Sequence, residues 1–275
     1  METIEIELKE KSYYFLRVLI SLLAYGGLVT WVYLDPDALT VVVSIIVFFA
    51  FLTMMRNGIM VGVIKAHAVK LGKNQMPEIY QIVEDYSERM HLNQVPQIYL
   101  MEMGGLLNAF ATRLYRSNYI VLYSELAEGF YVGNADAIKF VIAHELGHIK
   151  RKHLVKEFFV TPSGIIPFLT LAYQRACERT CDNFGKHFSP NGAVQGILTL
   201  AAGPELRTKI NPKTFIEQVD TDAGFWRWLV EKLSSHPNLN KRLQRVYDER
   251  TVKTGSKPEP ETVKKEIDHS QYMPK

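Results

Sequence analysis

The chain is poor in cysteine, poor in net charge and, over one long stretch, free of charge altogether. Its two cysteines, Cys177 and Cys181, lie one helical turn apart in 275 residues. That spacing does not build the disulfide framework of a small secreted domain, and free thiols fit a reducing compartment. A formal net charge of +3 excludes the dense basic surface of a dedicated nucleic-acid binder, so no nucleic-acid partner is expected. No internal repeat is present. The run "LTVVVSIIVFFAFLTMM", residues 39–55, has no charged side chain, and "YYFLRVLISLLAYGGLVTWVYL", residues 13–34, has only Arg17.

Charge-free runs of this length are what a bilayer requires. The first covers the ~20 residues of a membrane-crossing helix, and the following "NGIMVGVI" can extend the second to the same length. Only "DPDA" separates them, so residues 13–63 predict a transmembrane helical hairpin. A cleaved signal peptide would be shorter and would not be followed at once by a second run. Arg17, near the start of the first run, is expected to snorkel toward the headgroups. Lys9, Lys11 and Arg17 flank one end of the hairpin, and Arg56, Lys65, Lys70 and Lys73 the other; the turn has no basic residue. Both termini are therefore expected in the cytoplasm, with two spans in the cell (inner) membrane. The acidic Glu2, Glu5, Glu7 and Glu10 weaken that signal only slightly.

Residues 1–12 then form a cytosolic N-terminus and residues 64–250 a catalytic-sized domain. Residues 251–275 are charged and poor in large apolar groups, which predicts a disordered tail. Within the domain, residues 76–92 show helical apolar spacing. "PQIYLMEM", "NAFATRLY" and "NYIVLYSEL" read as strands. A helix is marked from Asn134, a candidate N-cap, to the basic cluster ending at His153. Further helices are expected over 171–186, 213–218, 225–234 and 241–250.

The best-marked helix contains "HELGH", residues 144–148. Its three fixed positions arise by chance in roughly 2% of shuffled sequences, so the chemistry has to carry the reading. On a helix His144 and His148 are neighbours on one face, and both imidazoles can reach one zinc ion. Glu145 points about 100° away, which suits a general base acting on a metal-bound water. Gly147 costs ~1 kcal/mol relative to alanine, so a close neighbour is expected there. Burying two imidazoles and a carboxylate in a plain amphipathic helix would be costly.

A catalytic zinc needs a third protein ligand. In "RACERTCDNFG", Glu178 is the candidate, and Asp182, at i+4, is placed to orient a ligating histidine through its other nitrogen. Cys177 and Cys181 are a competing ligand pair, but read better as small buried residues.

"HELGH", "RACERTCD" and "HPNLNKR" together resemble the HtpX-like membrane zinc metallopeptidases, a gluzincin-type HExxH group whose wider family includes the CAAX prenyl endopeptidases. The resemblance covers roughly residues 77–246. It implies an α+β, zincin-like metallopeptidase domain behind the two-helix hairpin, with one Zn2+ per chain. It implies His144, His148 and Glu178 as zinc ligands, Glu145 as catalytic base and Asp182 behind them. His236 and Arg242 look like the family's oxyanion-stabilising pair. Asn108, Ala109 and Phe110, in "NAFAT", are similar to the edge segment that binds a protein or peptide substrate as an extended strand. The implied function is a membrane-anchored zinc-dependent endopeptidase, with a role in membrane protein quality control as one expectation. A non-catalytic zinc-binding membrane scaffold is the rival reading, and Glu145 speaks against it. HtpX-like chains carry further spans between the HExxH helix and the third ligand. Here residues 158–173 are too short to cross and return, and one crossing would part Glu178 from His144. A broken hairpin, packed in the domain or dipping into the membrane interface, is expected instead.

Overall fold

The computed structural model describes residues 4–102, 109–114 and 117–247; the expected tail at 251–275 and the substrate residue Asn108 lie outside them. Two long helices come first, α1 (Leu8–Leu34) and α2 (Ala38–His67). Their most apolar windows have mean hydropathies of 1.8 and 2.6, yet only 11% and 6% of those windows is buried. Core helices of a soluble protein would be covered; these are long and apolar enough to cross a membrane and present their side chains outward. Arg17 does not snorkel. It is 1% exposed, donates to Ser163 Oγ at 2.9 Å and Glu157 Oε1 at 2.8 Å, and lies over the Tyr173 ring. A charge this deep is tolerable because it is paired and bonded within the protein.

The remaining chain is a helix-rich α+β domain. Its sheet has the order β1-β2-β4-β3, with β1 (Val69–Lys70), β2 (Gln97–Met101), β3 (Ala109–Leu114) and β4 (Ser117–Tyr123). The β2–β4 pair is parallel and β3–β4 antiparallel, which leaves β3 outermost. Around it lie α3 (Pro77–Arg89), α4 (Ser124–Tyr131), α5 (Ala135–Lys150), α6 (His153–Phe159), α7 (Pro167–Phe188), α8 (Pro190–Leu206), α9 (Pro212–Thr221), α10 (Phe225–Leu233) and α11 (Leu239–Val246).

Helix α5 is the centre of the core. Ile138, Phe140, Ile142 and Leu146 are essentially inaccessible, packed between the sheet, α7 and α8. Asn134 does not cap α5 with its side chain; its amide donates to Thr199 Oγ1 of α8 at 2.9 Å. Helix α8 escapes the sequence reading altogether, for a physical reason. It carries Gly192 and Gly196, each lowering helix propensity by ~1 kcal/mol. A Cβ at Gly192 would stand 1.9 Å from the Asp136 carbonyl oxygen, and one at Gly196 2.5 Å from the Phe140 ring. The residues that obscure the helix are those that let it lie against α5.

The expected continuation of α5 to His153 is also corrected. The helix ends at Lys150, and Lys152 takes a left-handed conformation with φ 56°. The turn starts α6 at His153 and folds that side chain back toward the site.

Candidate metal centre

Three side chains from two buried helices converge. His144 and His148 project from α5, Glu178 from the middle of α7. His144 Nε2 lies 3.3 Å from Glu178 Oε2, His148 Nε2 3.2 Å from Glu178 Oε1, and the two Nε2 atoms are 3.3 Å apart. Four-coordinate zinc with ligands at ~2.0–2.1 Å has ligand–ligand edges of roughly 3.3–3.4 Å. The two imidazole nitrogens match such an edge, each lies close to one oxygen of Glu178, and one donor atom from each residue falls within 4.8 Å of the others, so the three could hold one ion. The close neighbour expected at Gly147 is present: a Cβ there would meet Phe184 at 3.2 Å and the Cys181 sulfur at 3.4 Å. This close approach seats α7, and with it Glu178, against α5.

The other ring nitrogens are held from behind. Asp182 Oδ1 lies 3.0 Å from His144 Nδ1, and Asp182 in turn accepts from Arg242 Nη2 at 2.6 Å and Nε at 2.9 Å. On the opposite side His148 Nδ1 lies 3.0 Å from His153 Nδ1, and His153 Nε2 3.3 Å from Glu10 Oε1. Glu10 accepts from Arg151 Nη2 at 2.8 Å.

The electrostatics follow from this packing. Burial disfavours a charged His144, but its bonds to Asp182 and Glu178 outweigh that and push it up to about 10. Burial would raise the Glu178 carboxyl; hydrogen bonds from His144 and His148 hold it well below the usual carboxylate range. Asp182 is likewise held down against burial by Arg242 and His144. Burial drives His153 down to about 4, against the pull of Glu10. In the metal-free protein a proton on His144 compensates the buried carboxylates; a cation can take its place.

The three donors open into a cleft of about 330 Å³ lined by Glu145, His236, and Phe110 and Ala111 of β3. Glu145 is 8% exposed and lies beside the donors without joining them. The family model for peptidase family M48 matches residues 73–163 and 156–250.

The chain belongs to peptidase family M48.

Among curated M48 relatives, it is 24% and 26% identical over 211 residues to the protease HtpX homologs of Helicobacter acinonychis (strain Sheeba) and Helicobacter pylori (strain Shi470), covering 61% of this chain and 65% of each relative. It is 26% identical over 170 residues to the plastoglobule-localized metallopeptidase 48, chloroplastic, of Arabidopsis thaliana, covering 55% of this chain and 48% of that protein. The chain thus spans about half to two thirds of these relatives. The crystal structure of S. mikatae Ste24p shares the fold, with a TM-score of 0.50 at 15% identity over 87% of this chain and 66% of that one. The family match and the HtpX relatives agree with the expected resemblance, and the helix-rich α+β fold agrees with the expected fold class.

Within this M48 site two expected residues behave differently from one another. His236 sits at the rim, its side chain 61% exposed and Nε2 3.5 Å from Glu178 Oε1. Arg242 is 5% exposed, gives two of its nitrogens to Asp182 and still lines the cleft. Ala109 and Phe110 do line the cleft. The residues missed from the sequence are His153 and Glu10. An i,i+5 histidine is not a helical neighbour of His148, so only the turn at Lys152 brings it there, and Glu10 lies far away in sequence.

Proposed function

We propose that the chain is a membrane-anchored, zinc-dependent endopeptidase that cleaves protein or peptide substrates laid along β3. The observation that carries this is the convergence of His144, His148 and Glu178, one donor atom of each within 4.8 Å of the others, with a buried carboxylate, Glu145, lining the same cleft. His144, His148 and Glu178 would hold the Zn2+, one per chain. When bound, it would polarise the scissile carbonyl and acidify a water. Glu145 accepts the proton of that water and delivers it to the leaving amine. The outermost strand β3 offers main-chain hydrogen bonds to an extended peptide, and His236 at the rim donates to the oxyanion. Asp182, accepting from His144 Nδ1, would leave the Nε2 lone pair free for the ion.

The reading extends to the bilayer. Helices α1 and α7 run antiparallel: Glu7 meets Thr180 and Tyr14 meets Tyr173. The end of α6 meets α1 at Tyr25, which donates to the Phe159 carbonyl, and the chain beyond it meets Ser21, which accepts from the Ser163 amide. Those contacts lie roughly 12–18 Å along α1 from Tyr13, where its apolar run begins. Phe158, Phe159, Ile165 and Phe168 are all more than half exposed there. The segment enters the cytoplasmic leaflet and turns back, and the metal centre rides at the membrane surface.

The test is Glu145→Gln in the full-length protein. It should keep one zinc per chain and lose about 10²–10⁴-fold in casein-type peptidase activity. Undiminished proteolysis, or wild-type protein that holds no zinc, sinks the reading; metal retained without proteolysis in the wild type favours a scaffold.

A further inference from the structure

Behind His148 lies a chain of buried groups that zinc ligation does not use. We infer that His153 and Glu10 are positioning residues for His148, so that the first turn of the anchor helix α1 helps set the metal centre. This rests on the zinc-peptidase reading. With His148 Nε2 turned toward Glu178, its ring proton resides on Nδ1. The partner nitrogen 3.0 Å away, His153 Nδ1, must then accept, which puts the His153 proton on Nε2, facing Glu10 Oε1. Only this pair of tautomers satisfies both contacts.

Glu10 supplies the second reason. It is 1% exposed, and its other oxygen, Oε2, has no hydrogen-bond partner among the described residues. Burying a carboxylate with one oxygen unsatisfied costs stability that an apolar residue would not. Here that carboxylate holds His153 in one tautomer and one orientation. The same carboxylate is locked to the end of α5 by Arg151 and approached by Lys156 at 3.7 Å. Other atoms of the cluster, from Glu10, His153 and Cys177, come within 4.8 Å of one another and could hold an ion of their own. The two cations flanking Glu10 disfavour that use.

The experiment measures zinc affinity of the full-length detergent-solubilised protein by competition with a chromophoric chelator, and the visible spectrum of the Co2+-substituted form. His153→Leu should weaken binding 10–100-fold and shift the Co2+ bands. His153→Gln, whose amide both accepts and donates, should recover most of the loss, and Glu10→Gln should fall between. Wild-type affinity and spectrum in all three variants would overturn the inference. So would a second equivalent of metal in the wild type that disappears in Cys177→Ser. If His148→Ala binds zinc as the wild type does, the zinc reading itself fails and takes this inference with it. If His148→Ala abolishes binding while His153→Leu changes nothing, the positioning role alone is lost.

Discussion

The two histidines of "HELGH" occupy successive turns of one helix, yet they are backed in opposite ways. His144 meets a carboxylate directly, and that carboxylate is locked to Arg242. Both partners lie deep in the α+β domain. His148 meets another imidazole, with the carboxylate one residue further off and contributed by α1. On the proposed reading, one ligand is set by the folding of the domain and the other by the docking of the anchor. The proposal then ties the orientation of His148 to the seating of the hairpin.

The largest effect should come from the His144 side. Asp182→Ala leaves the Arg242 guanidinium buried and unpaired, which costs about 3–5 kcal/mol, in addition to loosening His144. Glu10→Ala strands Arg151, but that side chain is 22% exposed and can turn to water, so about 1 kcal/mol is expected. Denaturant titration of the metal-free variants measures both. Equal losses would mean that the two sides are not built differently after all.

The pH dependence of the metal-free protein sharpens the same contrast. His144 is raised from 6.5 to about 10, so its contribution to stability is complete below pH 6.5 and is lost as pH rises toward 10. Asp182 and Glu178 are lowered, so theirs is present above the ordinary carboxylate range and lost in acid. Chelated protein should therefore melt at a lower temperature at pH 9.5 than at pH 6.5. Zinc-loaded protein should lose that alkaline decline, because the ion replaces the proton. A chelated Tm that is flat between those values would show that His144 carries no proton in the empty site.

How much of this was legible follows the range of the interactions. His144, His148, Glu178 and Asp182 sit at i,i+4 spacings on two helices, and helical geometry alone pairs them. The apolar runs of α1 and α2 announce themselves by length and hydropathy, and little of either window is buried. What stayed hidden depends on chain crossings. Gly192 and Gly196 weaken the local helix signal of α8 in exchange for contact with α5. Arg242 turns inward because Asp182 is there to receive it, a fact 60 residues away in sequence. Glu10, a minor correction to a topology rule when charges are counted, is buried behind His153 and His148. A sequence records which groups are unusual; the fold decides which of them meet.

The smallest expected effect tests whether the anchor side is mechanically continuous with the membrane. His153 opens α6, and α6 runs into the segment read as entering the bilayer, where Ile165 is 77% exposed. A nitroxide on Ile165→Cys should be reached by oxygen and shielded from a water-soluble nickel reagent, as a label on Phe49→Cys in α2 should be. Both native thiols are buried, so the introduced cysteine takes the label. A charge is costly in hydrocarbon, by about 2.5–3.5 kcal/mol at the centre of a span and less near the interface. Ile165→Asp should therefore lift the segment out, tug α6 and lower zinc affinity by a few-fold. Thr208→Asp, on the surface after α8, should leave affinity unchanged. Nickel access at 165 with shielding at 49 would confine the membrane to the hairpin. Free access at both would remove the anchor itself. Shielding at both with wild-type affinity in Ile165→Asp would show that the contact with lipid stops short of the metal.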